Sequence, residues 1–256
     1  MNTLVTYVCY THYDYRDIWP LVFGQLEEHI KFHKVIFSNK FDNSIILKNT
    51  DIVLYDDSLT YSTKLGFLCD QIDTPYIILV HDNDIVMNFN NDLCKTFITQ
   101  MIDQKIDRLM FGVLSKGTES FVDATTTKSK HFITPYDVGP SIWKRESLQS
   151  LMKMFNNRTY RDIELCSELQ EFCSINFKTV GRTSKDPSES RYSIGRPFNK
   201  EHCFCHILIR RQWLDFYLYM DFKFILLYLI NKYNIRIEHR GILHNQNHID
   251  INCRDV

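Results

Sequence analysis

The chain has 256 residues, with 30 Lys+Arg against 31 Asp+Glu for a net charge of −1, 44% hydrophobic and 14% aromatic. A chain this long can bury about 75% of its unfolded surface, enough for one large domain or two small ones. The balanced charge removes the overall basic field that general nucleic-acid binding needs, and a charged fraction of 24% with abundant Phe, Tyr and Ile excludes wholesale disorder. Alanine occurs once, at Ala124, beside an excess of Ile, Asn and Lys; that bias reads as an AT-rich genome and carries no chemistry.

The N-terminal stretch MNTLVTYVCYTHYDYRD lacks the basic start and continuous apolar run of a signal peptide. The most apolar window, Phe216–Ile230, is too short to span a bilayer and carries Asp221 and Lys223, so it reads as a core helix, with contact to a membrane surface left open. The eight cysteines are scattered without a CxxC pair, as expected of reduced thiols in a cytoplasmic protein.

In chain order, Thr3–Tyr10 is β-branched and aromatic and predicts a strand, and Ile18–Ile30 has helical spacing at Ile18, Leu21, Val22, Leu26 and Ile30. Lys34–Ser38 and Asp51–Tyr55 predict the next strands, and Tyr61–Ile72 a helix with Leu65, Leu68, Cys69 and Ile72 on one face. Tyr76–Val80 is continuously apolar, as a strand buried on both faces is. A helix at about 91–104 and a strand at 108–114 follow. Beyond these the pattern loosens: 116–136 reads as a polar loop or excursion, 141–155 and 161–175 as helices, 177–181 as a short strand, and 184–200 as an aperiodic loop. Strands alternating with helices predict an α/β fold with a mostly parallel central sheet flanked by helices, in a single domain over 1–256 with an irregular helical C-terminal half. Ligands gather beyond the carboxyl ends of strands in such sheets, so the residues after Tyr10, Tyr55 and Val80 are expected to crowd one site.

The strongest signal lies there, in YIILVHDNDIV over 76–86. Asp82 and Asp84 are two apart at the end of a buried strand, and alternating side chains point the same way, so both carboxylates can converge on one hard divalent cation. Such an ion could bridge a diphosphate and neutralise it as it departs; the plainer alternative is a solvated turn.

Here the chain resembles the GT-A type of nucleotide-sugar-dependent glycosyltransferase, whose Asp-x-Asp motif follows just such a strand, commonly after a Pro-Tyr start like Thr74-Pro75-Tyr76. The resemblance covers roughly residues 3–173 and implies a nucleotide-sugar-binding half at 1–115 and an acceptor-binding half at 116–256. It implies that Asp82 and Asp84 hold metal and diphosphate, that Tyr10, Thr11 and His12 sit at the base and ribose, that Asp56 or Asp57 contacts the base, and that Lys64 approaches the donor. Each has a structural alternative: Asp56 and Asp57 could cap the helix near Tyr61, Lys64 could be a solvated lysine and His12 a loop histidine.

In YDVGPSIWKRESL, Gly139-Pro140 makes a tight turn before Trp143. The resemblance places such a turn and aromatic at the sugar and acceptor sites, where an indole suits a pyranose face and the amides of Gly139 or Ser141 can hold hydroxyls; Trp143 could equally be core. In TYRDIELCSELQEFC, the resemblance implies an acceptor-deprotonating acid at the helix start, with Asp162 or Glu164 as candidates. Arg161 stands where the first acid of the family's pair belongs, and Thr159 with Asp162 could instead form a capping box.

His202-Cys203-Phe204-Cys205-His206 looks like a zinc site, but strand alternation sends histidines and cysteines to opposite faces and structural zinc prefers wider spacing. The resemblance implies instead one C-terminal histidine in a manganese shell, with His206 ahead of His202 and His244. The basic residues Lys185, Arg191, Arg196 and Lys200 could close over a diphosphate or be ordinary surface charges.

Together these readings give a metal-dependent (Mn²⁺ or Mg²⁺) glycosyltransferase of the hexosyltransferase kind, moving a sugar from a nucleoside diphosphate sugar, UDP-sugar by preference, to a glycan or other hydroxyl acceptor, with inversion if Asp162 is the base. The alternatives are a nucleotidyltransferase, which wants a glycine-rich loop where Thr11–Tyr15 has no glycine, and a glycosyltransferase-like scaffold without turnover.

Overall fold

The computed structural model describes residues 4–116, 121–123, 136–184, 202–209, 211–214 and 223–243. Among these, eight strands form one sheet in the order β3 (Thr50–Leu54), β2 (His33–Ser38), β1 (Val5–Tyr10), β4 (Tyr76–His81), β8 (Ser141–Lys144), β6 (Arg108–Lys116), β9 (Thr179–Ser184) and β7 (Phe121–Asp123). The first four run parallel. β8 is antiparallel to both β4 and β6, β9 is parallel to β6, and β7 is antiparallel to β9, so only β8 and β7 oppose the common direction. The protein is thus mixed α/β, with a mostly parallel central sheet flanked by helices.

The alternation of strand side chains builds two cores. Tyr7, Cys9, Ile78 and Val80 face α1 (Trp19–His29) and α3 (Asn91–Asp103). Val8, Ile77 and Leu79 face α2 (Tyr61–Asp70) and α4 (Arg145–Met154) on the other side. The unbroken apolar run of β4 follows from this burial on both faces. β5 (Asp84–Phe89) leaves the sheet and pairs antiparallel with β10 (His202–His206), in register His206 with Asp84. β11 (Leu208–Ile209), β12 (Gln212–Leu214) and β13 (Ile242–Leu243) form a small third sheet, and α7 (Lys223–Lys232) packs Leu226, Leu229 and Ile230 inward.

The structure corrects several boundaries. The expected helix at 141–155 begins as strand: Ser141–Lys144 fills the gap between β4 and β6, and helix starts only at Arg145. The expected helix at 161–175 is two, α5 (Tyr160–Leu165) and α6 (Ser167–Asn176), broken where Cys166 adopts an extended ψ of 113°. β5 and β7 are strands where no regular element was expected. Of the basic loop, Lys185, Arg191, Arg196 and Lys200 lie outside the described residues, as does His244. Among the described residues no helix is long and apolar enough to cross a membrane, and the described cysteines form no disulfide with one another.

Candidate active site

The carboxyl ends of β1 and β4 meet through hydrogen bonds. Asp82 N–H donates to the Tyr10 carbonyl at 3.0 Å, and Thr11 Oγ1 donates to Asp82 Oδ2 at 2.5 Å. Thr11 is itself fixed from two sides: Trp19 Nε1–H donates to its hydroxyl at 2.8 Å, and the Tyr55 hydroxyl donates to its carbonyl at 2.8 Å. Burial raises the Asp82 carboxyl to about 7, against the hydrogen bonds from Thr11 and the His12 N–H and the more distant Arg240, while the Asp84 charge adds to the rise.

Asp84, also buried, opens β5 and accepts from His206 Nδ1 at 2.9 Å. Burial pulls this imidazole down, but the charge and hydrogen bond of Asp84 outweigh it, so the His206 pKa is raised. Of the two histidines in β10, the other faces away: His202 is fully buried among Phe89, Phe97 and Phe111, with Nε2 at 3.0 Å from the Asn90 carbonyl. His81 closes β4, with Nε2 at 3.2 Å from the Tyr61 hydroxyl, and burial lowers its pKa to about 4.

A polar cluster lies beyond the ends of β1, β2 and β3. His12 Nε2 is 3.0 Å from Asp57 Oδ2 and 3.0 Å from Asn39 Nδ2. Lys64 Nζ is 3.2 Å from Asp57 Oδ1 and sits 4.6 Å from the centre of the Tyr55 ring. The His12 hydrogen bond, then Lys64, holds the Asp57 carboxyl below its ordinary value. Tyr10 stacks on Tyr55 at 5.5 Å and 11°. Asp56 does not join this cluster; it closes a turn by accepting from the Ser58 N–H and hydroxyl.

On the other side of His81, the Tyr136 hydroxyl donates to that of Tyr61 at 3.0 Å. Glu164 Oε1 accepts the Val138 N–H at 2.7 Å, and burial raises its carboxyl to about 7 against that hydrogen bond. Glu164 is close enough to Tyr61 and Tyr136 for its charge to raise both phenols further, after burial. Asp162 has a different role. It forms a capping box, accepting the Thr159 N–H at 2.8 Å while Thr159 Oγ1 accepts the Asp162 N–H, and these bonds lower its pKa.

Two residues expected at the ligand have partners within the protein. Trp143 is 1% exposed, held in the core with Arg108 stacked 5.0 Å from its centre, and has no face left for a sugar. The Gly139 N–H is engaged with Asp137 Oδ1 at 3.0 Å, and Asp137 in turn pairs with the buried Arg108. Sequence reasoning missed Tyr55, Trp19, Asn39 and Arg240. Tyr55 and Asn39 directly follow β3 and β2 and Trp19 opens α1, and none of the three carries a charge to mark it. Arg240 arrives from the far end of the chain, bound to Asp17 and lying 4.7 Å from the centre of the Tyr15 ring.

Asp82, Asp84 and His206 offer the donor chemistry of Mn²⁺ or Mg²⁺. A carboxyl raised by burial beside a second carboxylate is a setting a divalent cation relieves, and the buried Asn83 Oδ1 between them has no hydrogen-bond partner among the described residues. The fit lies in residue type and in the Asp84–His206 pair: Asp82 is turned to Thr11, and among the described residues no three His, Cys, Asp or Glu side chains stand together as a shell.

No protein-family model matches the sequence, and no curated protein sequence matches it. Solved structures do. A structure of residues 1–349 of S. aureus TarS is 12% identical with a TM-score of 0.44, over 72% of this chain and 61% of that one. A second S. aureus TarS structure is 11% identical with a TM-score of 0.49, over 92% and 41%. The mannosyltransferase PcManGT from Pyrobaculum calidifontis, in complex with GDP-Man and Mn²⁺, is 10% identical with a TM-score of 0.44, over 72% and 57%. This chain spans less than two thirds of each, and these similarities assign no residue.

Proposed function

We propose that the protein is a nucleotide-sugar-dependent glycosyltransferase, UDP-sugar its preferred donor. The observation that carries this reading is the placing beyond the carboxyl ends of β1 and β4 of two buried aspartates, one held by Thr11 and the other paired with a histidine, next to a polar cluster at the ends of β1, β2 and β3. In this reading Asp57, Asn39 and His12 meet the hydrogen-bonding edge of the base, with the Tyr10–Tyr55 stack and Lys64 beneath them. Thr11, clamped by Trp19 and Tyr55, fixes Asp82. Asp84 and His206, with Asp82 beside them, would hold Mn²⁺ or Mg²⁺, and the ion would supply positive charge to a departing diphosphate.

The acid that takes the acceptor proton is Glu164 in this proposal. A carboxyl at about 7 is matched to proton transfer near neutrality, whereas the Asp162 carboxylate is stabilised by its capping bonds and is the weaker base. Direct attack by the acceptor hydroxyl inverts the anomeric centre. The test is a donor panel of UDP-, GDP- and CMP-sugars with and without Mn²⁺, read by thermal shift and by the released product. Nucleoside diphosphate release supports the reading; pyrophosphate consumption or formation assigns a nucleotidyltransferase; donor binding without turnover assigns a scaffold.

A further inference from the structure

Beside α5 an open cavity of about 460 Å³ is lined by Arg158, Arg161, Asp162 and Leu165. Both arginines are exposed, and among the described residues neither is in an ion pair. Arg161 donates its Nε–H to the Tyr160 hydroxyl at 3.2 Å, which steadies the guanidinium. Asp162, the one acid in the lining, has an oxygen committed to the Thr159 N–H. The cavity therefore presents two guanidinium groups against one occupied carboxylate.

Its position ties it to the candidate site. The Arg158 N–H donates to Ser62 Oγ at 2.9 Å and its carbonyl accepts the Ser62 N–H at 3.1 Å, anchoring the segment to the first turn of α2. Tyr61 of that turn meets the Tyr160 ring at 6.0 Å and reaches His81 through its hydroxyl. A molecule with a hydroxyl near Glu164 would thus extend toward Arg158 and Arg161. Guanidinium groups recognise planar or tetrahedral oxyanions through paired N–H donors, and two on one cavity wall favour such an anion over a neutral sugar.

We propose that the acceptor carries an oxyanion, a phosphate or a carboxylate, held in this cavity by Arg158 and Arg161. This rests on the glycosyltransferase reading for the word acceptor, but the anion site stands on its own geometry. The experiment is calorimetric titration of the full chain, in the presence of UDP and Mn²⁺, with glucose 6-phosphate, glucuronate and glucose, against the R158Q/R161Q variant. The expected result is binding of glucose 6-phosphate or glucuronate, the tighter of the two naming the anion, at least ~10-fold weaker in the variant, with UDP thermal stabilisation equal in both proteins. R158K/R161K, which keeps the charge without the fork, is expected to fall between them. Equal affinity for glucose and glucose 6-phosphate, failure of both anions to bind, or unchanged anion binding in R158Q/R161Q would overturn the proposal. A wild-type protein that binds the anion but never UDP refutes the donor reading instead.

Discussion

Glu164 gives a prediction whose size can be worked out. Burial raises its carboxyl from 4.5 to about 7, so the folded state holds this proton more tightly than the unfolded chain does. The associated stability is fully present below pH 4.5 and is lost as pH rises through about 7. With about 1.4 kcal/mol for each factor of ten in proton affinity, the loss between pH 5 and pH 8 is about 2.5 kcal/mol. Glu164→Gln keeps an oxygen to accept the Val138 N–H and removes the titration. Urea unfolding of both proteins at pH 5 and pH 8 is the assay, and the comparison with the variant cancels the parallel contribution of Asp82, whose carboxyl is raised in the same direction. Relative to E164Q, the wild type is expected to weaken by on the order of 2 kcal/mol over that interval. In transfer assays the wild type gains rate through an apparent pKa near 7, and the variant loses at least ~10²-fold with donor affinity kept. A stability difference independent of pH would show that Glu164 is ionised throughout; a normal rate in E164Q would remove it as the base.

Three further outcomes follow from the same geometry. Asp84→Asn and His206→Ala are each expected to abolish Mn²⁺-dependent stabilisation by UDP while the fold persists, and thermal shifts that still respond to Mn²⁺ would dismiss the pair as ligands. Asp162→Ala is expected to lower the melting temperature slightly through the lost capping box and to retain transfer; a fall of ~10²-fold or more in rate would return the role of base to Asp162. Trp143→Phe is expected to lower stability by about 1–3 kcal/mol through the void it leaves, with UDP-sugar affinity unchanged, and a selective loss of sugar affinity would show that the indole contacts the donor after all.

The first half of the fold was legible because each signal there was local. Tyr76–Val80 had to be buried on both faces, and Asp82 and Asp84 stand out because two acids follow five consecutive apolar residues after the single polar His81. The Asp57–Lys64 ion pair spans seven residues and lies within one turn-to-helix segment. What sequence could not show was pairing over long separations. Ser141–Lys144 carries the apolar Ile142 and Trp143 that a helix could also use; it is strand only because β4 and β6 leave a slot between them. Trp143 is core for the same reason, since a residue inside a central strand has neighbours on every side.

His206 shows how far such reasoning reaches. Three histidines in the C-terminal half were chemically equivalent candidates, and His202 and His206 share one five-residue strand. Their fates diverge because β10 pairs antiparallel with β5 in a register that sets His206 opposite Asp84 and His202 opposite Phe89, with an irregularity between Cys203 and Phe204 along the way. One imidazole thereby meets a carboxylate, and the other meets aromatic rings and the Asn90 carbonyl. A shift of one residue in that register would turn Cys205 toward the carboxylate and His206 away from it, since side chains alternate across a strand. The β5–β10 pairing, a contact spanning more than a hundred residues, therefore decides whether the strand-end aspartates gain a third donor.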